Sequence, residues 1–252
     1  MITRIVLMVS VIASAAVLPA TPAFTQSNSH FRSVSSELAR RPRGGVVDLF
    51  ARPSAGTLRS PSNMDAWFWR GVSPARSAAE PLRLQAAATL AATGRYSPPS
   101  PARFKDMMVE HGDHLNAAAA AYGLSLPFLM SLVMVESGGA HDAISSAGAV
   151  GLTQLMPATA ALMQVADATD PYENVMGGAR YLSQMLVAHG GDAILALAAY
   201  NAGPGSVARA GGVPRYAETR AYVPKVLAAW SVARQMCQTP PTNATGPCDF
   251  RG

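Results

Sequence analysis

Glu136 closes an apolar run, residues 126–135, made of Leu, Pro, Phe, Met, Ser and Val. A carboxylate at that place is poorly hydrated, which favours its neutral form. The carbonyl groups at a helix C-terminus also disfavour negative charge. Both effects predict a raised pKa and a carboxylic acid near neutral pH. That is the state in which a side chain can donate a proton to a glycosidic oxygen. The plainer alternative is a surface Glu at a frayed helix end.

Ordinary glycosidases flank the scissile bond with two carboxyl groups. Here Glu136 is the one convincing candidate. Glu218 could approach the same place, but a position at a helix start also accounts for it. Asp142 falls in a loop, and Asp170 is occupied as a helix cap. A single carboxyl group suffices where the substrate supplies the second. Such chemistry needs no metal and no organic cofactor.

The elements that must position Glu136 are helical. Residues 103–122 read as one helix ended by Gly123. Ser125 can cap the next, with Pro127 in its first turn, and that helix runs from Leu126 to Glu136. It is apolar nearly all round, which predicts a central place in the core. Gly138 and Gly139 end it. Another helix follows Pro157. Asp170-Pro171-Tyr172-Glu173 is a strong start signal for a helix that runs to His189. Asp192 caps a further helix toward Tyr200. The last spans about 219–234, with a kink expected at Pro224. No strand-like alternation is convincing, so the predicted class is an all-α domain of packed short helices.

The chain has 252 residues, room for one sizeable domain with extensions or two small domains. Its net charge of +5 draws it toward anionic surfaces, whether nucleic acid, acidic lipid or peptidoglycan with its peptide carboxylates. No Lys/Arg cluster interleaves with aromatics, so nucleic acid is the weaker reading. Arg4 precedes the apolar run Ile5–Leu18, and Thr21-Pro22-Ala23 offers a cleavage site. The run is short for a bilayer span and fits a signal peptide over 1–23, leaving no stable membrane span after cleavage. An uncleaved anchor or a misread apolar strand is the alternative.

Residues 24–101 are rich in Pro, Ser, Ala and Arg and read as an irregular leader or linker. It holds a candidate helix over 81–92 and the cluster Trp67-Phe68-Trp69, which could dock on sugar or on the neighbouring domain. The main domain is placed at 102–236 and a tail at 237–252. In an exported chain, Cys237 and Cys248 suggest a disulfide closing a small loop. Two unrelated thiols in a frayed tail are the alternative.

Four blocks carry a family resemblance: Glu136-Ser137-Gly138 followed by Ser145; Gly148-Ala149-Val150-Gly151-Leu152-Thr153-Gln154-Leu155-Met156-Pro157; Ala198-Ala199-Tyr200-Asn201-Ala202-Gly203; and Glu218-Thr219-Arg220-Ala221-Tyr222. Over about residues 105–235 the sequence resembles the lytic transglycosylases with a soluble-lytic-transglycosylase, goose-lysozyme-like domain. It is also similar to the short peptidoglycan-cleaving enzymes that accompany envelope-spanning secretion systems. Any one block would be weak, but their order and gaps together are specific.

The resemblance implies a lysozyme-like fold and action on peptidoglycan glycan strands in the periplasm. It implies that Glu136 is the catalytic acid/base and that Ser145 faces it and the acetamido group of the sugar. Gly151, Gln154, Met156, Tyr200, Asn201 and Tyr222 match substrate-binding positions. Thr153 departs from the Met usual in the family, and Gly138-Gly139-Ala140-His141 departs from the commoner bulky and Asn-Pro residues. His141 reads as a surface loop residue. The rival readings are a hydrolytic muramidase of the same fold, a non-catalytic peptidoglycan-binding accessory of a secretion apparatus, and a basic nucleic-acid-binding domain.

Overall fold

In the computed structural model, residues 66–76, 81–94 and 96–251 are described, all within the unit Val47–Gly252. The expected signal peptide lies outside the described residues. In chain order the helices are α1 (Ala66–Gly71), α2 (Pro81–Ala92), α3 (Pro101–Tyr122), α4 (Leu126–Glu136), α5 (Pro157–Leu162), α6 (Pro171–Ala188), α7 (Ala193–Ala202), α8 (Pro204–Ala210) and α9 (Ala217–Ala233). A 3-10 turn, Arg234–Met236, follows. Among the described residues extended pairing is confined to isolated bridges, so the all-α class holds for them.

The helix ends follow local chemistry. Asp170 accepts a hydrogen bond from the Glu173 amide at 2.8 Å, and Asp192 accepts from the Ile194 and Leu195 amides. Each cap satisfies amides that the first turn cannot pair internally. Proline occupies the first turns of α3, α4, α5, α6 and α8, where no N–H is needed. Two expected devices differ in detail. Ser125 sits at the N-cap of α4, but its buried hydroxyl makes no hydrogen bond; instead its amide donates to Ala244 O at 2.7 Å. Glu173 accepts from the Ala166 and Asp167 amides, so it fastens the loop before α6.

α4 is the central helix, with every residue from Leu126 to Met134 buried. α9 packs against α4, α7 and α2, while α3 packs against α6 and α4. Trp230 of α9 and Phe128 of α4, both fully buried, meet edge to face at 6.2 Å. Burial of a side chain such as Phe128 stabilises by about 2–3 kcal/mol.

Pro224 lies inside α9, which continues through it to Ala233. Proline has no N–H, so the carbonyl four residues earlier, that of Arg220, loses its helical partner. Trp69 supplies the replacement: its indole Nε1 donates to Arg220 O at 2.9 Å. The Arg220 guanidinium also lies 4.8 Å from the Trp69 ring centroid. Phe68 is fully buried beside it and belongs to the same core as Leu84 and Ala87 of α2. The aromatic cluster therefore docks on the helical domain, and the expected helix over 81–92 forms and packs on α9.

Candidate active site

Glu136 is the last residue of α4 and is half-buried. The buried Tyr222 of α9 donates its hydroxyl to Glu136 Oε1 at 2.8 Å, joining residues 86 positions apart. The packing of α9 on α4 makes that meeting possible. Ser137 closes the helix end: its hydroxyl donates to Val133 O and accepts from the Gly139 amide at 3.1 Å.

Asn201 governs where Tyr222 can stand. Buried at the end of α7, it donates Nδ2 to Glu218 Oε1 at 3.0 Å and accepts from Thr219 Oγ1 at 2.7 Å. Both partners lie in the first turn of α9, one turn ahead of Tyr222. The two bonds fix the rotation of α9 that aims the phenol at Glu136. Glu218 is thus engaged with Asn201 at the helix start.

The segment from Ala143 to Met156 forms a braced loop. Ser145 Oγ accepts from the Ala149 amide at 2.9 Å, and Val150 and Leu155 exchange backbone bonds at 3.0 Å each. Gln154 adopts φ 49°, which is costly for a side chain with a Cβ. Its Nε2 offsets the strain by donating to Ala143 O at 3.0 Å and Gly151 O at 2.9 Å. Gly151 has φ 79°, and a Cβ there would collide with the Asn174 amide. Tyr200 donates its hydroxyl to Thr153 O at 2.9 Å and packs its ring near Tyr181. Met156 is half-buried and leads into α5.

Asn174 is the residue that sequence reading missed. Buried on α6, it accepts from the Thr153 amide at 2.8 Å and the Thr153 hydroxyl at 2.7 Å. Its Nδ2 donates to Val150 O at 2.9 Å and Ala168 O at 2.8 Å. Thr153 in turn lies against Gly178, where a Cβ would overlap it. The Thr at 153 therefore has a partner set of its own, a hydroxyl answered by a buried amide.

Three of the expected site residues, Gln154, Tyr200 and Asn201, spend the hydrogen bonds described above on holding loop and helix in place. Ser145 and Met156 lie in the loop with partial exposure. The expected disulfide is present: Cys237 is bonded to Cys248. It closes the loop whose Ala244 carbonyl meets Ser125 at the start of α4.

Residues 113–223 match the family model of the transglycosylase SLT domain. A transglycosylase of Enterobacteria phage PRD1 is 43% identical over 89 residues, covering 35% of this chain and 33% of the relative. Membrane-bound lytic murein transglycosylase F of Cellvibrio japonicus is 33% identical over 136 residues, covering 48% of this chain and 28% of the relative. The X-ray structure of an inactive mutant of lytic transglycosylase Slt from Pseudomonas aeruginosa superimposes with a TM-score of 0.51 and 29% identity. That match covers 65% of this chain and 30% of the other. The chain spans about a third or less of the length of each of these relatives.

Proposed function

We propose that this chain, which carries a transglycosylase SLT domain over residues 113–223, is a peptidoglycan lytic transglycosylase with Glu136 as its acid and base. The observation that carries the reading is the Tyr222 hydroxyl bond to Glu136 at 2.8 Å, which seats two distant motif residues at one carboxyl group.

The reaction runs in two proton transfers. Neutral Glu136 protonates the oxygen linking N-acetylmuramic acid to N-acetylglucosamine, and the bond from the muramic C1 to that oxygen breaks. The acetamido oxygen of the same sugar stabilises the cationic C1. Glu136, now ionised, takes the proton of the 6-hydroxyl as O6 bonds to C1, closing a 1,6-anhydro ring. The proton lent is recovered and no water is consumed. Tyr222 donates to the carboxyl group in both stages and steadies the ionised form most, because hydrogen bonds to charge are the stronger kind.

Ser145 and Met156 are assigned to the sugar-facing side of the braced loop. Gly151, Gln154, Tyr200 and Asn201 are assigned to keeping that side in shape. The same reading places the enzyme in the periplasm. Among the described residues no helix is long and apolar enough to cross a membrane. Work beside an envelope-spanning secretion apparatus rests on the family resemblance alone.

Product analysis tests the proposal. Purified sacculi digested with the protein should yield anhydro-muramic ends by mass spectrometry, and Glu136→Gln should yield none while still binding sacculi. Reducing muramic ends would assign a hydrolytic muramidase instead. No product from the wild type would assign a binding protein.

A further inference from the structure

Glu110 and His111 of α3 lie together with His141 of the loop that follows Glu136. Glu110 Oε1 is 3.4 Å from His111 Nε2 and 3.5 Å from His141 Nδ1. One ligand atom from each residue falls within 4.8 Å of the others. Two ligands about 2.1 Å from a tetrahedral Zn²⁺ stand about 3.4 Å apart, as the two Glu110 separations do, and a turn of the exposed His141 side chain would bring the two imidazoles, within 4.8 Å, to the same spacing.

His111 is the telling member. Its side chain is only 4% exposed, yet Nε2 has no hydrogen-bond partner. A buried polar atom left so is expensive and calls for an explanation. The ring donates its hydrogen bond to the Gly139 backbone, which leaves Nε2 facing Glu110. Metal-binding imidazoles are held in this manner, with the second nitrogen donating to a backbone carbonyl. Glu110 and His141 are 59% and 47% exposed, which leaves an approach for an ion and room for water as a fourth ligand.

We propose that Glu110, His111 and His141 form a binding site for a first-row divalent metal ion, with Zn²⁺ the best match to two imidazoles and one carboxylate. Its ligands come from α3 and from the loop that starts one residue after Glu136. That loop already rests on α3, through Arg103, which donates to Gly138 O at 3.2 Å, and through His111 on Gly139. A bound ion would add a third and stronger tie. It would pin the glycine pair at 138 and 139, both of positive φ, against α3.

The test uses the full chain, stripped with a chelator, and Zn²⁺ alone as probe. Isothermal titration should give one site of micromolar or tighter affinity. Zn²⁺ at 100-fold over its Kd should raise the melting temperature by on the order of 5 °C. Co²⁺ should give the visible absorption of a tetrahedral nitrogen and oxygen site. His141→Ala and Glu110→Gln change exposed side chains, so both should melt like the wild type without metal. Each should weaken Zn²⁺ by at least about tenfold, since changing a mere supporting contact costs that much. Absence of a saturable site in the wild type, or variants that bind as the wild type does, would overturn the proposal.

Discussion

Tyr222→Phe removes one oxygen from the site and nothing else. The ring of Tyr222 is buried, and Phe fills nearly the same volume, so the packing of α9 on α4 persists. What is lost is the 2.8 Å bond to Glu136 Oε1. A hydrogen bond to a charged group contributes about 1.5–3 kcal/mol. Only the part that differs between ground and transition state reaches the rate. Glu136 alternates between neutral and ionised forms in the proposed cycle, and the phenol favours the ionised one. At about 1.4 kcal/mol per factor of ten, kcat should fall about 10- to 100-fold. The melting temperature should move by no more than about 4 °C, the equivalent of one neutral hydrogen bond. The assay is the release of anhydro-muropeptides from sacculi, followed by liquid chromatography and mass spectrometry beside a thermal melt. A variant with wild-type kcat refutes the role given to Tyr222. A variant that melts far lower refutes the claim that the effect is local.

Other outcomes follow from the same geometry. Asn174→Ala should cost about 3 kcal/mol in urea unfolding, because the Thr153 donors and the Val150 and Ala168 carbonyls lose a buried partner together. Native protein should resist thiol labelling without reductant, and replacing both Cys237 and Cys248 by Ser should lower stability by about 2–3 kcal/mol. His189 is held below its ordinary pKa of 6.5, first by burial and then by the Arg76 charge, with Asp192 opposing. The folded state thus resists protonating it: its contribution is complete above pH 6.5 and is lost as pH falls through the lower folded value. The melting temperature should drop from about pH 7 to about pH 5, and less steeply in His189→Asn.

The helices were legible because their signals are local. Asp170-Pro171 and Asp192 cap where their residue types say they should, and the apolar run before Glu136 could only be a core helix. Glu136 and Tyr222 were legible as motif positions, but their contact was not, since it depends on how α9 crosses α4. Asn174 was hidden for a related reason. A polar residue near the start of a helix looks like a solvated one until the Thr153 loop folds over it. The hydroxyl of Ser125 misled, because Ser125 is held through its amide instead, by a carbonyl 119 residues away in the tail. Gln154 and Tyr200 look like sugar ligands by type, yet the bonds described for them go to backbone. Loss of activity on changing either would report a slackened loop before it reported a missing sugar contact.

Pro224 and Trp69 set the smallest piece of this chain that can fold well. The family match begins at residue 113, yet the backbone gap that Pro224 leaves at the Arg220 carbonyl is filled by an indole 151 positions before Arg220. Excising residues 102–236 as a minimal fragment would bare the Arg220 carbonyl and uncover the face of α9 on which α2 lies. The helices that carry Glu136 and Tyr222 therefore lean on a segment that a boundary drawn by homology would discard, and an expression fragment should begin ahead of Ala66.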